Sequence, residues 1–460
     1  MPFAITGHVT LTVDHTSPPS SPQSVNAALR TAWCRVRQDH PSIASKVEYS
    51  FDNKTFRRIY RTIRNCSDKE DWLRSTFFEI VNGQTGTEFA NSDPPALEIP
   101  ILFVITPPPH EHGAECREIV IRAPHCTIDG IGTLMLLNNL LKHASDALHG
   151  QFLHNLPEFY GVEVSNLSPP YRTAAQVPAE LNPAQQAKVD KMAYDHVFFA
   201  ESKSTRHYLS LPFKQGAQIP GRHQRIDIII DRIKTGQILA GCKRLGVTVT
   251  HAFNASIPFA MRELQGGTEQ PELYYRCDLL RNLRQFCEEP FNTSKHPVTA
   301  YHVGSMFGFE TKVPKYSGGK SLPKEFQRLL QEVKDFYRRV GNDSNHPFLA
   351  AYVWTNWLRT LPEIKKNPDP GPTPSPAPGV SLSSLGRVDE LLPEKVGSFE
   401  ISKPWVTGEE LGNGYGIFLT SHRGEMNVTA AYNEAWHDEK DVRDFLESCI
   451  QILWVSLWLD

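Results

Sequence analysis

Apolar residues recur along the chain at two spacings. In QSVNAALRTAWCRV, the residues Val25, Leu29, Ala32, Trp33 and Val36 fall at helical intervals and predict an amphipathic helix. DHPSIASKVEY follows, where Pro41 stops that helix and turns the chain toward a strand. ILFVIT (101–106) and REIVIRA (117–123) are short apolar runs that predict paired strands, with PPPHEHGAEC as the turn region between them. A polar knot, His125-Cys126-Thr127-Ile128-Asp129-Gly130, then leads into a second helical pattern. Ile131, Leu134, Leu137 and Leu141 mark its apolar face, and Asn138 and Asn139 interrupt it. The acid Asp129 at its start suits the positive end of a helix dipole.

Prolines and small polar residues dominate 166–222, apart from one helical patch, PAQQAKVDKMAYDHVFF. The chain divides there into an N-terminal part (1–165), a connecting segment (166–222) and a C-terminal part (223–460). The C-terminal part opens with RIDIIID as a strand and DRIKTGQILAGCKRLG as a helix. Thr250 is the expected cap of a buried helix in GVTVTHAFNASIPFAMREL. ELYYRCDLL predicts a strand and KEFQRLLQEVKDFYRRV an amphipathic helix. The run NPDPGPTPSPAPG (367–379) cannot pack as helix or central strand and is expected as an exposed, poorly ordered loop. SLSSLG, the strands YGIFLTS and MNVTAAYN, and a closing helix, DEKDVRDFLESCIQIL, follow it. Strands and helices mixed in both parts point to an α/β architecture.

With 460 residues, the chain is long enough for two subdomains. A formal charge of -3 gives no reason to expect nucleic acid as a partner. No apolar run reaches the roughly 18 residues of a membrane span, and the start lacks a secretory pattern. The eight cysteines are scattered without C-x-x-C, which fits a reduced, cytoplasmic protein with free thiols.

H-x-x-x-D-G at a strand-to-helix junction is the motif that carries chemistry. His125 there is either a general base, suited by its pKa near neutrality, or a satisfied structural histidine. Asp129 is read as structural, anchoring backbone or pairing with arginine, and Gly130 as permitting close packing or a positive φ. Cys126 as a nucleophile lacks a clear activating partner. His110, Glu111, His112 and Cys116 have metal-compatible chemistry but lie about a proline-led turn, so no metal site is expected. His437 starts a second H-x-x-x-D, read as a solvated helix start.

These residues resemble the superfamily of chloramphenicol acetyltransferase, BAHD acyltransferases and peptide-synthetase condensation domains. DHPSIASKVEY, GVTVTHAFNASIPFAM, CDLLRNL with VGSMFGFE, and SLSSLGRVDELL through RGEMNVTAAYNEAW extend the resemblance over the chain, most of all to fungal trichothecene 15-O-acetyltransferases. The resemblance implies two chloramphenicol-acetyltransferase-like subdomains, mixed sheets flanked by helices, and an active-site tunnel between them. It implies His125 as general base in acyl transfer from acyl-CoA, acetyl-CoA above all, to a hydroxyl of a secondary metabolite, with no covalent intermediate and no permanently bound cofactor. Asp129 would be held by an arginine, Arg281 as first candidate and Arg284 in reserve. A monomer acting on a hydroxylated small molecule is expected. The alternative keeps the tunnel for another reaction, such as carrier-bound ester or amide formation or polyketide or terpenoid cyclisation. A non-catalytic binding protein is the third reading. No D-F-G-W-G is present, which argues against a plant-type enzyme. Pro124 replaces the first histidine usual in condensation domains, which favours a free-standing acyltransferase.

Overall fold

The predicted first helix is α1 (Val25–Asp39), and its apolar stripe of Val25, Leu29, Ala32, Trp33 and Val36 is buried. Ser24 caps it, accepting from the Ala27 amide at 3.2 Å. In this computed structural model the described residues are 3–13, 24–50, 52, 55–95, 98–108, 115–150, 161–202, 206–265, 272–304, 308–314, 322–349, 351–352 and 373–458. Strand β1 (Ala4–Val13) precedes α1. After it come β2 (Ser45–Ser50), β3 (Thr55–Tyr60), α2 (Cys66–Thr76), β4 (Phe77–Ile80), α3 (Gly86–Asn91), β5 (Ile101–Ile105), β6 (Cys116–Pro124) and α4 (Gly130–Leu148). The connecting segment holds α5 (Tyr171–Ala174) and α6 (Pro183–Ser202).

The second half contributes β7 (His223–Ile230), α7 (Arg232–Arg244), α8 (Val249–Leu264), β8 (Glu272–Cys277), β9 (Leu280–Asn282), β10 (His302–Gly304), β11 (Phe309–Pro314) and α9 (Leu322–Asn342). It ends with β12 (Val380–Arg387), β13 (Lys395–Val396), β14 (Phe399–Gly408), β15 (Tyr415–His422), β16 (Glu425–Asn433) and α10 (Glu439–Trp458). The fold is mixed α/β, with sheets flanked by helices. A six-stranded sheet has the order β13-β14-β1-β6-β5-β4, and a four-stranded sheet has β12-β15-β16-β7.

Helices α1 and α4 cover one face of the six-stranded sheet and form a core with Leu11, Trp33, Ile121 and Leu137. A second core gathers α8, α9 and α10 around the four-stranded sheet, with Phe253, Phe326, Ile417 and Phe445 fully or almost fully buried. The other face of the six-stranded sheet is polar yet buried. His8 on β1 bonds Glu118 on β6 at 3.1 Å and stacks on Trp405 of β14. Arg225 of β7 lies over the same indole, 4.0 Å from the Trp405 ring centroid. Paired ions and stacked rings therefore join the two halves, because charges buried there need partners.

Three expectations are corrected by the packing. Strands β13 and β14 leave the C-terminal part and join the N-terminal sheet, β14 pairing with β1 from Ile5↔Gly408 to Val13↔Phe399. Residues 223–460 are thus not one self-contained unit. Thr248, not Thr250, caps α8, in a reciprocal capping box with His251; Thr250 instead bonds the Ser384 hydroxyl at 2.8 Å. His437 is buried rather than solvated, bonded to the Asn413 carbonyl at 2.9 Å, and the exposed helix start falls on Glu439.

Candidate active site

The candidate site is built at the junction of β6 and α4. The β6 strand ends at Pro124, and the His125 amide donates to the Phe3 carbonyl at 2.7 Å, which ties the knot to the start of β1. Thr127 closes the turn with a 2.9 Å bond to the Pro124 carbonyl. Asp129 then caps α4, accepting from the Gly132 amide at 2.8 Å. Strand, tight turn and capped helix leave the His125 ring at the seam between the halves.

The Asp129 carboxylate is buried and fully engaged. Besides Gly132 it accepts from Arg284 at 2.6 and 2.7 Å and from the Tyr301 amide at 2.8 Å. Arg284 also reaches the Thr299 hydroxyl at 2.9 Å and the Thr299 carbonyl at 3.1 Å. With its acceptor positions filled, Asp129 has no capacity left to take a proton from substrate. The guanidinium on Asp129 is Arg284's. Arg281, the first candidate, sits on β9 and points to the end of α9, donating to the Val340 carbonyl at 3.0 Å and the Gly341 carbonyl at 3.1 Å. Three residues later, a short 3-10 turn at Arg284–Phe286 brings Arg284 back toward α4.

Gly130 packs closely: a Cβ there would lie 3.0 Å from Leu385 on β12. Its φ is not positive, so close approach rather than turn geometry is what the position uses. Gly132, unmarked in the sequence reading, is more constrained. A Cβ there would lie 2.1 Å from the Pro297 carbonyl oxygen and 2.8 Å from Arg284. The G-x-G spacing was the available signal.

His125 stacks on Phe3, with ring centroids 5.1 Å apart and 16° between planes, and meets His302 at 5.0 Å and 40°. Its basicity is pushed down to about 4, first by burial and then by His302; its own carbonyl, Asp129 and the Ile128 carbonyl act in the opposite sense. A neutral imidazole carries one ring N–H and one free lone pair, and the lone pair is what a general base uses. His302, also missed from sequence, is exposed, yet the protein around it is dense enough to lower its basicity. Arg58 on β3 has the same character, depressed by burial with Tyr301 and Cys126 nearby. Cys126 is exposed in this region. His110, Glu111 and His112 lie outside the described residues, and among those described no His, Cys, Asp or Glu cluster could hold a metal.

Leu385, within SLSSLG, reaches the motif through Gly130. The preceding proline-rich run is only partly described. In its described portion, Ser375 exchanges 2.8 Å bonds with the Asn413 side chain, and Pro378 is buried with its carbonyl accepting from Leu211 at 2.9 Å. That end of the run is anchored, because its carbonyls and its non-proline amides still find partners.

In fold the chain is similar to two-lobed acetyltransferases and condensation domains. It superposes on a trichothecene 15-O-acetyltransferase from Fusarium sporotrichioides with a TM-score of 0.82 and 16% identity, covering 99% of this chain and 91% of that one. The first condensation domain of the CDA synthetase gives 0.61 at 10% identity, covering 99% and 91%. By sequence, the chain is 23% identical over 439 residues to the acetyltransferase pigO of Monascus ruber, covering 93% of this chain and 85% of the relative. It is 25% identical over 457 residues to lolU1 of Epichloe uncinata, named as a loline biosynthesis cluster 1 transcription factor, covering 93% and 84%. No family model matches the chain.

Proposed function

We propose that this protein transfers an acyl group, acetyl in the first instance, from acyl-CoA to a hydroxyl of a fungal secondary metabolite. The observation that carries this reading is the His125 ring, set at the β6–α4 junction between Phe3 and His302 with Asp129 saturated by Arg284 behind it. Its free nitrogen takes the acceptor's hydroxyl proton, the oxygen attacks the thioester carbon, and the resulting imidazolium returns the proton to the departing thiolate. No covalent enzyme intermediate is needed. Asp129 and Arg284 position the loop and do not touch substrate.

The acetyltransferase names of the Fusarium and Monascus relatives support the reaction class. All eight cysteines are unpaired, which supports a reducing, cytoplasmic setting, and no described helix is long and apolar enough to cross a membrane. A monomer with acyl-CoA as co-substrate and no permanently bound cofactor completes the reading. The likeness to a condensation domain favours one second reading, in which the acyl donor is bound to a carrier protein. Release of free CoA from acetyl-CoA in the presence of hydroxylated polyketides and terpenoids tests the choice. Acceptor-dependent thiol release supports the first reading; turnover only with an acyl carrier protein supports the second.

A further inference from the structure

In acyl transfer from a thioester, the carbonyl oxygen becomes an oxyanion in the tetrahedral intermediate, and a preorganised donor aimed at it carries much of the catalysis. The groups around His125 narrow the choice of donor. Phe3 covers one side of the ring and has nothing to donate. Arg284 is turned onto Asp129 and Thr299. His302 stands against His125 with ring centroids 5.0 Å apart, delivered from the other half of the chain by β10, where it pairs with Asn282 of β9. Neither of its ring nitrogens is bonded within the described residues, and the residue is exposed. A neutral imidazole always carries one N–H.

We propose that His302 is the oxyanion donor of this chain, its ring N–H binding the thioester carbonyl oxygen as negative charge develops there. The assignment rests on the acyl-transfer reading above. His125 removes the hydroxyl proton as the C–O bond forms, and the carbonyl π pair moves onto the oxygen that His302 holds. Collapse restores the C=O bond, expels the CoA thiolate and lets His125 protonate it, giving ester and CoA thiol. His302 ends as it began. The protein packed around the ring lowers its basicity, with Asp129 acting in the opposite sense and Arg284 in the same one.

The test compares wild type, His302→Leu and His302→Gln, with acetyl-CoA as donor and both water and a panel of hydroxylated polyketides and terpenoids as acceptors. His302→Leu should lower kcat about 100-fold with little change in KM for acetyl-CoA, the scale for loss of one oxyanion donor. His302→Gln, which keeps an N–H, should recover about tenfold or more of that loss. All three proteins should share one melting temperature. Wild-type kcat in His302→Leu, or a His302→Gln no better than His302→Leu, overturns the assignment while leaving acyl transfer intact. A wild-type protein that releases no CoA with any acceptor overturns both.

Discussion

Asp129 and Arg284 form a buried pair whose carboxylate oxygens and terminal guanidinium nitrogens bond one another, Gly132, Tyr301 and Thr299. Removing one partner from such a pair leaves an uncompensated charge inside the protein. Asp129→Asn should cost about 3 kcal/mol of stability with a parallel loss of activity, read by denaturant unfolding. An inactive variant of unchanged stability would instead give Asp129 a direct part in the chemistry. Gly132→Ala tests the close approach to Pro297. Its Cβ would overlap a backbone carbonyl, and the cost should be about 1–3 kcal/mol in the same assay; a neutral result would mean that the 297–299 segment yields easily. At this scale the sequence was informative where chemistry is local. His125, Asp129 and Gly130 fall within six residues and declare themselves. Arg284 and His302 lie far along the chain, and only the fold decides that Arg284 rather than Arg281 faces α4.

Helices α1 and α4 were legible from their apolar periods and β5 and β6 from their short apolar runs, whereas α2, which adds Trp72 and Leu73 to the same core, was not anticipated. β1 was not anticipated, although Ile5, Val9, Leu11 and Val13 alternate with polar residues. Its polar face is as buried as its apolar one, which alternation alone does not reveal. Thr248 and Thr250 differ by half a turn, and only the geometry picks the cap. Buried histidines give these elements a common pH response. His40, His125, His223 and His346 are all pushed down to about 4 by burial. Their unfolded counterparts titrate near 6.5. The stability they contribute is therefore complete above about pH 6.5 and lost as pH falls toward 4, because the unfolded chain takes up protons first. Each should cost on the order of 1–2 kcal/mol by pH 5. Glu409 and Glu410, raised by burial, act in the opposite sense. The melting temperature should drop steeply between pH 6.5 and 4.5, and a flat profile over that interval would show that these rings are hydrated.

Across the whole molecule, the exchange of β14 into the first sheet makes the two halves interdependent. Without it, β1 would present an unpaired edge from Ile5 to Val13. Residues 1–222 expressed alone should aggregate or stay unfolded by circular dichroism, and co-expression with 223–460 should restore soluble protein. A stable, monomeric 1–222 fragment would contradict this. The same interlock fixes His125, on the first half, against Gly408 of β14 and His302 of β10. The measurement that bears most directly on the account is turnover of acetyl-CoA with an accepted alcohol by wild type and His125→Ala, alongside their melting curves. The account predicts a folded variant whose turnover falls at least about 100-fold, the scale of general-base catalysis. Wild-type turnover in the folded variant would contradict it.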